Sequence, residues 1–471
     1  MTRTLLSKTL WPLTCFAVLA LALAAGVVAQ EKQPDPNEEF LRAAFDGNVP
    51  ELEKFLASGT DVNAAHLKTG GTALMFAAIK NRVEAARLLL SKGADVNVTA
   101  KDGNTALVLA VRDGHTGVAQ MLLAKGADVN TKDRTAHDST PLHHAVINHH
   151  LAAARLLISK GADVNARASG GWPLIISAAS KGTRELVELL LDKGADANAQ
   201  DESFTALSLA TSWNNLPVVE LLLTRGANPN ARLLHGQTVL MEENQKPEIA
   251  KLLIARGADV NATDEDGNTA LIRGVNSQPV EYLQALLDAK ANPNLTNKEG
   301  ETALLKLFTD YDGKPRAEVV RLLLARGADA SIRSSDGFDA LYWAIVQEET
   351  GIEEMIAARV DSRRRRESLN MALITSSYGP DKALTVKLLA RGADPNTVAL
   401  TTTPLVAAAK NGSAEIVRLL LDKGAKPGST GVYFNSAQPR RGTALEAAEF
   451  WGYYEVISLL RKTASAPLVK R

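Results

Sequence analysis

The sequence predicts an all-α repeat protein, a stack of helix–turn–helix units joined by turn-rich fingers, and three observations predict it. First, a Gly-Ala-Asp-x-Asn segment led by Lys or Arg recurs along most of the 471 residues. Second, a leucine-rich run such as Ala86 to Leu90 or Val187 to Leu191 precedes that segment. Third, counting back from each turn glycine reaches an opening position held by Thr in nine of thirteen units, and the position two further on is apolar in all thirteen.

Taken in order, residues 1–29 differ from everything after them. Arg3 and Lys8 form a short positive head, and Leu10 to Val28 is apolar except for Pro12, Thr14 and Cys15. Small residues then lead to Gln30, the layout of a secretory signal peptide cut after Ala29. The apolar run also approaches the ~20 residues of a membrane span, so an uncleaved anchor is the alternative. Pro12 argues against a lipoprotein site at Cys15. Cleavage would remove the sole cysteine, leaving an exported protein without disulfides. A periplasmic or secreted location, in a bacterium, is the expectation, with a secreted effector acting on host proteins as a further alternative. Residues 30–37 read as a polar linker, and 53 basic against 53 acidic residues leave no overall field favouring nucleic acid or an anionic membrane.

The array occupies 38–464, with units starting near 38, 72, 105, 140, 173, 205, 238, 269, 302, 339, 371, 403 and 443, a mean period of about 34 residues, and a tail at 465–471. The unit from Thr140 to Asn165 explains the pattern. Thr140 suits a helix N-cap, and Pro141 fits the first helical position, where its missing N–H costs nothing. Leu142, Ala145 and Val146 give a first helix its apolar face, and Ala153, Ala154, Leu156 and Leu157 give a second one the same. Gly161 stands where a helix ends in the left-handed conformation. Helices this short are unstable alone, so each unit must bury its leucines on its neighbours.

This segment resembles the ankyrin repeat, a helix, turn, helix and β-turn finger, and the resemblance spans 38 to about 464. It implies a monomeric, non-enzymatic scaffold that binds a protein through a concave surface of finger tips and first helices. Several units depart from the pattern. The unit from Thr238 is two residues short, that from Thr302 carries four extra, and Val360 replaces a turn glycine. The longest insertion, Gly428 to Arg441, reads as a surface loop.

No cofactor or metal is implied. His143, His144, His149 and His150 crowd one unit, but His143 and His150 occupy positions where the resembled family carries structural histidines. The chain has no GxSxG elbow, HExxH pair or phosphate loop, and Gly313-Lys314 lacks the spacing of one. Asn97, Asn261 and Asn294 match the glycosylation pattern, each being the turn Asn of its repeat.

Partner-binding candidates follow from slots that usually vary in such arrays. The slot before the opening residue holds Trp172, Phe204 and Phe338, and the late first-helix slot holds Trp213 and Trp451. Trp172, Phe204 and Trp213 belong to neighbouring units and are expected to share one patch, either as binding residues or as braces, with Leu233 and Leu234 extending it. Arg363, Arg364, Arg365 and Arg366 are expected in a finger, as a docking site for an acidic partner or as a solvated turn neutralised by Glu348, Glu349, Glu353 and Glu354.

Overall fold

The computed structural model describes residues 37–133, 138–181, 183–309, 315–379, 382–434 and 439–464. The 1–29 segment with Cys15, most of the linker, His137, Gly313-Lys314 and the 465–471 tail lie outside the described residues. The chain divides into two compact units, Met1–Asn228 and Pro229–Arg471.

Within the first unit the described residues form six helix hairpins, from Glu38–Asp46 with Val49–Ala57 to Ala206–Ser212 with Leu216–Thr224. Thr72, Thr105, Thr140 and Thr205 cap the first helices, each side-chain oxygen accepting the backbone N–H three residues on. Between two neighbours, a first helix is buried nearly all round: Ala73 to Ala78 are all buried in Ala73–Ile79. Second helices bury one stripe, as Ala85, Ala86, Leu89 and Leu90 do in Val83–Ser91. Each buried leucine contributes about 1.5–3 kcal/mol, so it is the stacking that stabilises the short helices.

The recurring turn has a hydrogen-bonding logic. Gly161 has φ +88°, and an added Cβ there would meet nothing, so backbone conformation alone selects glycine. Asp163 Oδ1 accepts the Asn165 N–H at 2.9 Å, which closes the turn on itself. Asn130 then joins its turn to the next: its Oδ1 accepts the Asp163 N–H at 2.9 Å, and its Nδ2 donates to the Gly161 carbonyl at 3.3 Å. Asn97 and Asn165 repeat the bridge in the first unit. In the second unit Asn294 and Asn396 do the same.

His143, His144 and His150 each face a different protein partner. His143 Nδ1 meets Thr140 Oγ1 at 2.8 Å, buried His144 Nε2 meets Asp133 Oδ2 at 2.8 Å, and His150 Nε2 meets the Arg112 carbonyl at 3.0 Å. His149 supplies the left-handed turn residue, with φ 61°. Among the described residues no group of three or more His, Cys, Asp or Glu is placed to hold a metal ion. No helix among them is long and apolar enough to cross a membrane.

The second unit holds seven hairpins among its described residues; the unit from Thr238 has the shortened first helix that its sequence predicts, and two other segments differ from expectation. The unit from Thr238 keeps only a 3₁₀ turn, Val239–Met241, for its first helix. A single 17-residue helix, Ser362–Tyr378, runs through position 371, where a unit start was expected. Its cause is local. Val360 does not take the left-handed turn, and Asp361 accepts the Arg364 N–H at 2.7 Å, so the helix begins at Ser362 and absorbs the finger. The 428–441 insertion is more than a loop: Thr430–Phe434 and Arg440–Thr443 pair antiparallel, Thr430 opposite Thr443. Gly431 packs so closely on Thr402 that an added Cβ would lie 2.6 Å from its Oγ1.

Two stability tests follow. Asn130→Ala removes two inter-turn hydrogen bonds and is expected to cost about 1–2 kcal/mol, read as a lower urea midpoint. Burial, followed by the charges of His144 and Lys132, lowers the His143 pKa from 6.5 to about 4. Below pH 6.5 the unfolded chain takes a proton that the folded site refuses. Stability therefore falls as pH drops through that value and the loss levels off below about 4, reaching about 3 kcal/mol. His143→Asn is expected to flatten that part of the thermal-midpoint profile between pH 7 and pH 4.

Candidate protein-binding surfaces

In the first unit the structure pairs two of the three expected aromatics. The Trp172 and Phe204 rings meet edge to face at 6.1 Å, and Trp172 Nε1 donates to Ser177 Oγ at 2.9 Å. Trp172 is thus a half-buried brace, while Phe204 stays 36% exposed. Trp213 caps the far end of Ala206–Ser212, on the order of 13 Å along the helix from Phe204. It makes no ring contact with either aromatic among the described residues and is 57% exposed. Leu216, just beyond it, is also exposed and was not anticipated from the sequence. The single expected patch is therefore a ring pair and a separate Trp213–Leu216 edge.

In the second unit Phe338 is half-buried and built into its own hairpin. It stacks on Tyr342 at 4.2 Å and meets Trp343 edge to face at 5.8 Å. Leu233 is half-buried and Leu234 is exposed.

The four arginines occupy the first turns of Ser362–Tyr378, not a finger, and split between two recesses. Arg363 and Arg364 join Arg333 around Glu367, at 2.9, 3.2 and 2.8 Å. The hydrogen bond from Arg363, then the charges of Arg333 and Arg364, hold the Glu367 carboxyl below the usual carboxylate range. These residues line a groove of about 650 Å³ with Met371 and Val398. Arg365 and Arg366 line a smaller recess of about 260 Å³ with Arg391 and Glu353. Of the expected upstream neutralisers, Glu348 pairs with Lys387 at 2.8 Å, and Glu353 pairs with Arg391 inside the recess that Arg365 and Arg366 line. Glu367, downstream and on the same helix, neutralises Arg363 and Arg364.

Sequence reading missed Val398 and Leu400, 61% and 43% exposed beside that groove. Their signal was available, since the segment 398–400 is apolar and Leu400-Thr401 stand where other fingers carry Asp-Gly. In the last hairpin Trp451 meets Phe450 at 5.2 Å, and the Arg440 guanidinium lies 4.7 Å from the Phe450 ring centre. Tyr454, 85% exposed, adds to that end.

A family model described as ankyrin repeats (3 copies) matches residues 40–133, 142–233, 207–297 and 371–469, well over half of the chain. The chain belongs to the ankyrin-repeat family. Its helix-rich architecture is an all-α ankyrin-repeat solenoid, to which the 430–443 hairpin is an addition. Among curated proteins, it is 43% identical over 82 residues to the mitochondrial disaggregase of Bos taurus. It is 41% identical over 80 residues to that of Homo sapiens. Each match covers 17% of this chain, and the chain spans only 12% and 11% of those relatives. Among solved structures, the human ASB11 ankyrin repeat domain is 24% identical with a TM-score of 0.42, covering 47% of this chain and 98% of that one. Membership of this family makes the chain a protein-interaction scaffold.

Bracing and exposed aromatics separate experimentally. Phe338→Ala is expected to cost about 1–3 kcal/mol of stability through its lost ring contacts. Trp213→Ala is expected to stay within about 0.5 kcal/mol of the parent. Urea midpoints of the two variants check both.

Proposed function

We propose that this ankyrin array is a non-enzymatic scaffold that binds a protein partner through its fingers and first helices in an exported compartment. The observation that carries the reading is the exposure of Trp213, with Leu216 just beyond it, at one end of Ala206–Ser212 and of Phe204 at the other. Large aromatics left in water lower solubility, and they are enriched among residues that dominate interface energies. Stacked repeats hold these side chains before contact, so little ordering entropy is lost on association. The Arg333, Arg363 and Arg364 groove, with Val398 at its edge, adds a second face suited to an acidic partner with an apolar anchor.

Affinity capture with the full chain, followed by identification of what is retained, tests the scaffold reading. Trp213→Ala is expected to reduce retention of a captured partner at least tenfold with an unchanged thermal midpoint. Unchanged retention would remove this face from the proposal. The export reading rests on the sequence of 1–29. N-terminal sequencing of the mature protein is expected to begin at Gln30, and an intact Met1 would make the protein membrane-tethered.

A further inference from the structure

The shortened unit from Thr238 leaves a polar recess of about 450 Å³ inside the second compact unit. Its origin is the missing first helix. After the 3₁₀ turn Val239–Met241 the chain extends at Glu242, and the following first helix, Ala270–Gly274, has only five residues. Side chains that a full helix would cover therefore line an open hollow.

The charges there are arranged asymmetrically. Two cations face the hollow, and each already has a carboxylate partner, Asp264 behind the lining and Glu301 within it. Arg273 Nη1 pairs with buried Asp264 Oδ2 at 2.7 Å, and Lys306 Nζ pairs with Glu301 Oε2 at 3.2 Å. Three further lining carboxylates, Glu243, Asp266 and Glu299, are exposed and have no ion-pair partner among the described residues. The unbalanced charge is negative, and a cleft concentrates such a field.

An independent feature points the same way. Gln278 lines the recess and is only 4% exposed. Its Nε2 donates to the Glu242 carbonyl at 2.8 Å, but its own Oε1 is buried without any partner. An orphaned buried acceptor costs about 1–3 kcal/mol unless a donor arrives, and a cationic side chain brings several donors at once.

We propose that this recess binds a guanidinium or ammonium group, with Glu243, Asp266 and Glu299 supplying the opposing charge and the Gln278 carbonyl a positioning hydrogen bond. The planar guanidinium offers five donors in a fixed fork and suits a hollow rimmed by carboxylates. Resting on the reading of the chain as a protein binder, the proposal names the chemistry of one contact: an arginine, or secondarily a lysine, presented by the partner.

The test uses the full chain and a labelled, capped pentapeptide with one central arginine between alanines, followed by fluorescence anisotropy. Saturable binding is expected, with loss of at least tenfold in affinity for the otherwise identical citrulline peptide. Glu243→Gln, Asp266→Asn and Glu299→Gln together are expected to weaken the arginine peptide at least tenfold at an unchanged thermal midpoint. Gln278→Met, of similar volume, is expected to weaken it about threefold. Peptide tighter than free arginine assigns the cation to a protein, and equal affinity assigns it to a small molecule. The proposal is overturned if citrulline binds as well or the triple variant binds normally. It is also overturned if Glu53→Gln, Glu202→Gln and Glu455→Gln, outside the recess, weaken binding equally. The peptide assay does not use the Trp213 face, so its failure leaves partner capture there intact and the two readings fall separately.

Discussion

Burial between neighbouring hairpins is the interaction on which everything else in this protein depends. Helices of seven and nine residues, such as Ala106–Arg112 and Thr116–Ala124, lie below the length that is stable in isolation. They persist because Leu107, Leu109 and Leu122 are fully enclosed by adjacent units. A consequence is that no residue of the array acts alone. The side chains that remain in water are those left over once both neighbours have been satisfied, which is why an exposed Trp213 carries more meaning than an exposed leucine on an ordinary surface.

The regular part of this fold was legible because each repeat position has one physical job. Threonines at 105, 140 and 205 read as N-caps and are N-caps, since a hydroxyl at that place satisfies a donor whatever lies around it. Legibility ended where a local preference outweighed the register. Asp361 is as good a cap as any threonine, and it stands early enough to start Ser362–Tyr378 upstream of the expected boundary. The 430–443 hairpin was hidden differently. Its signal is Gly431 against Thr402, a close approach between segments that no short-range pattern reports.

The candidate surfaces were legible in residue type more than in grouping. Trp172 and Phe204 sit where the period placed them, and the ring contact between them follows from adjacency of successive fingers. Phe338 occupies the same slot but finds Tyr342 and Trp343 within its own hairpin, so an identical position becomes a structural one. The arginine run shows the corresponding effect for charge. A helix rotates successive residues by about 100°, so four consecutive cations cannot share a face, and two recesses result. Glu367, three and four residues beyond Arg364 and Arg363, pairs with both by that geometry.

The asparagine bridges also bear on chemistry applied to the chain from outside. Asn97 and Asn294 carry the consensus for N-linked sugars, yet their amide nitrogens already donate to Gly126 and Gly327. A glycan bonded to that nitrogen would replace one of its hydrogens and place a bulky group between consecutive fingers. Folding and sugar transfer thus draw on the same nitrogen, which has two hydrogens to share between them. In the folded array, each of these nitrogens already has one hydrogen committed to the next finger.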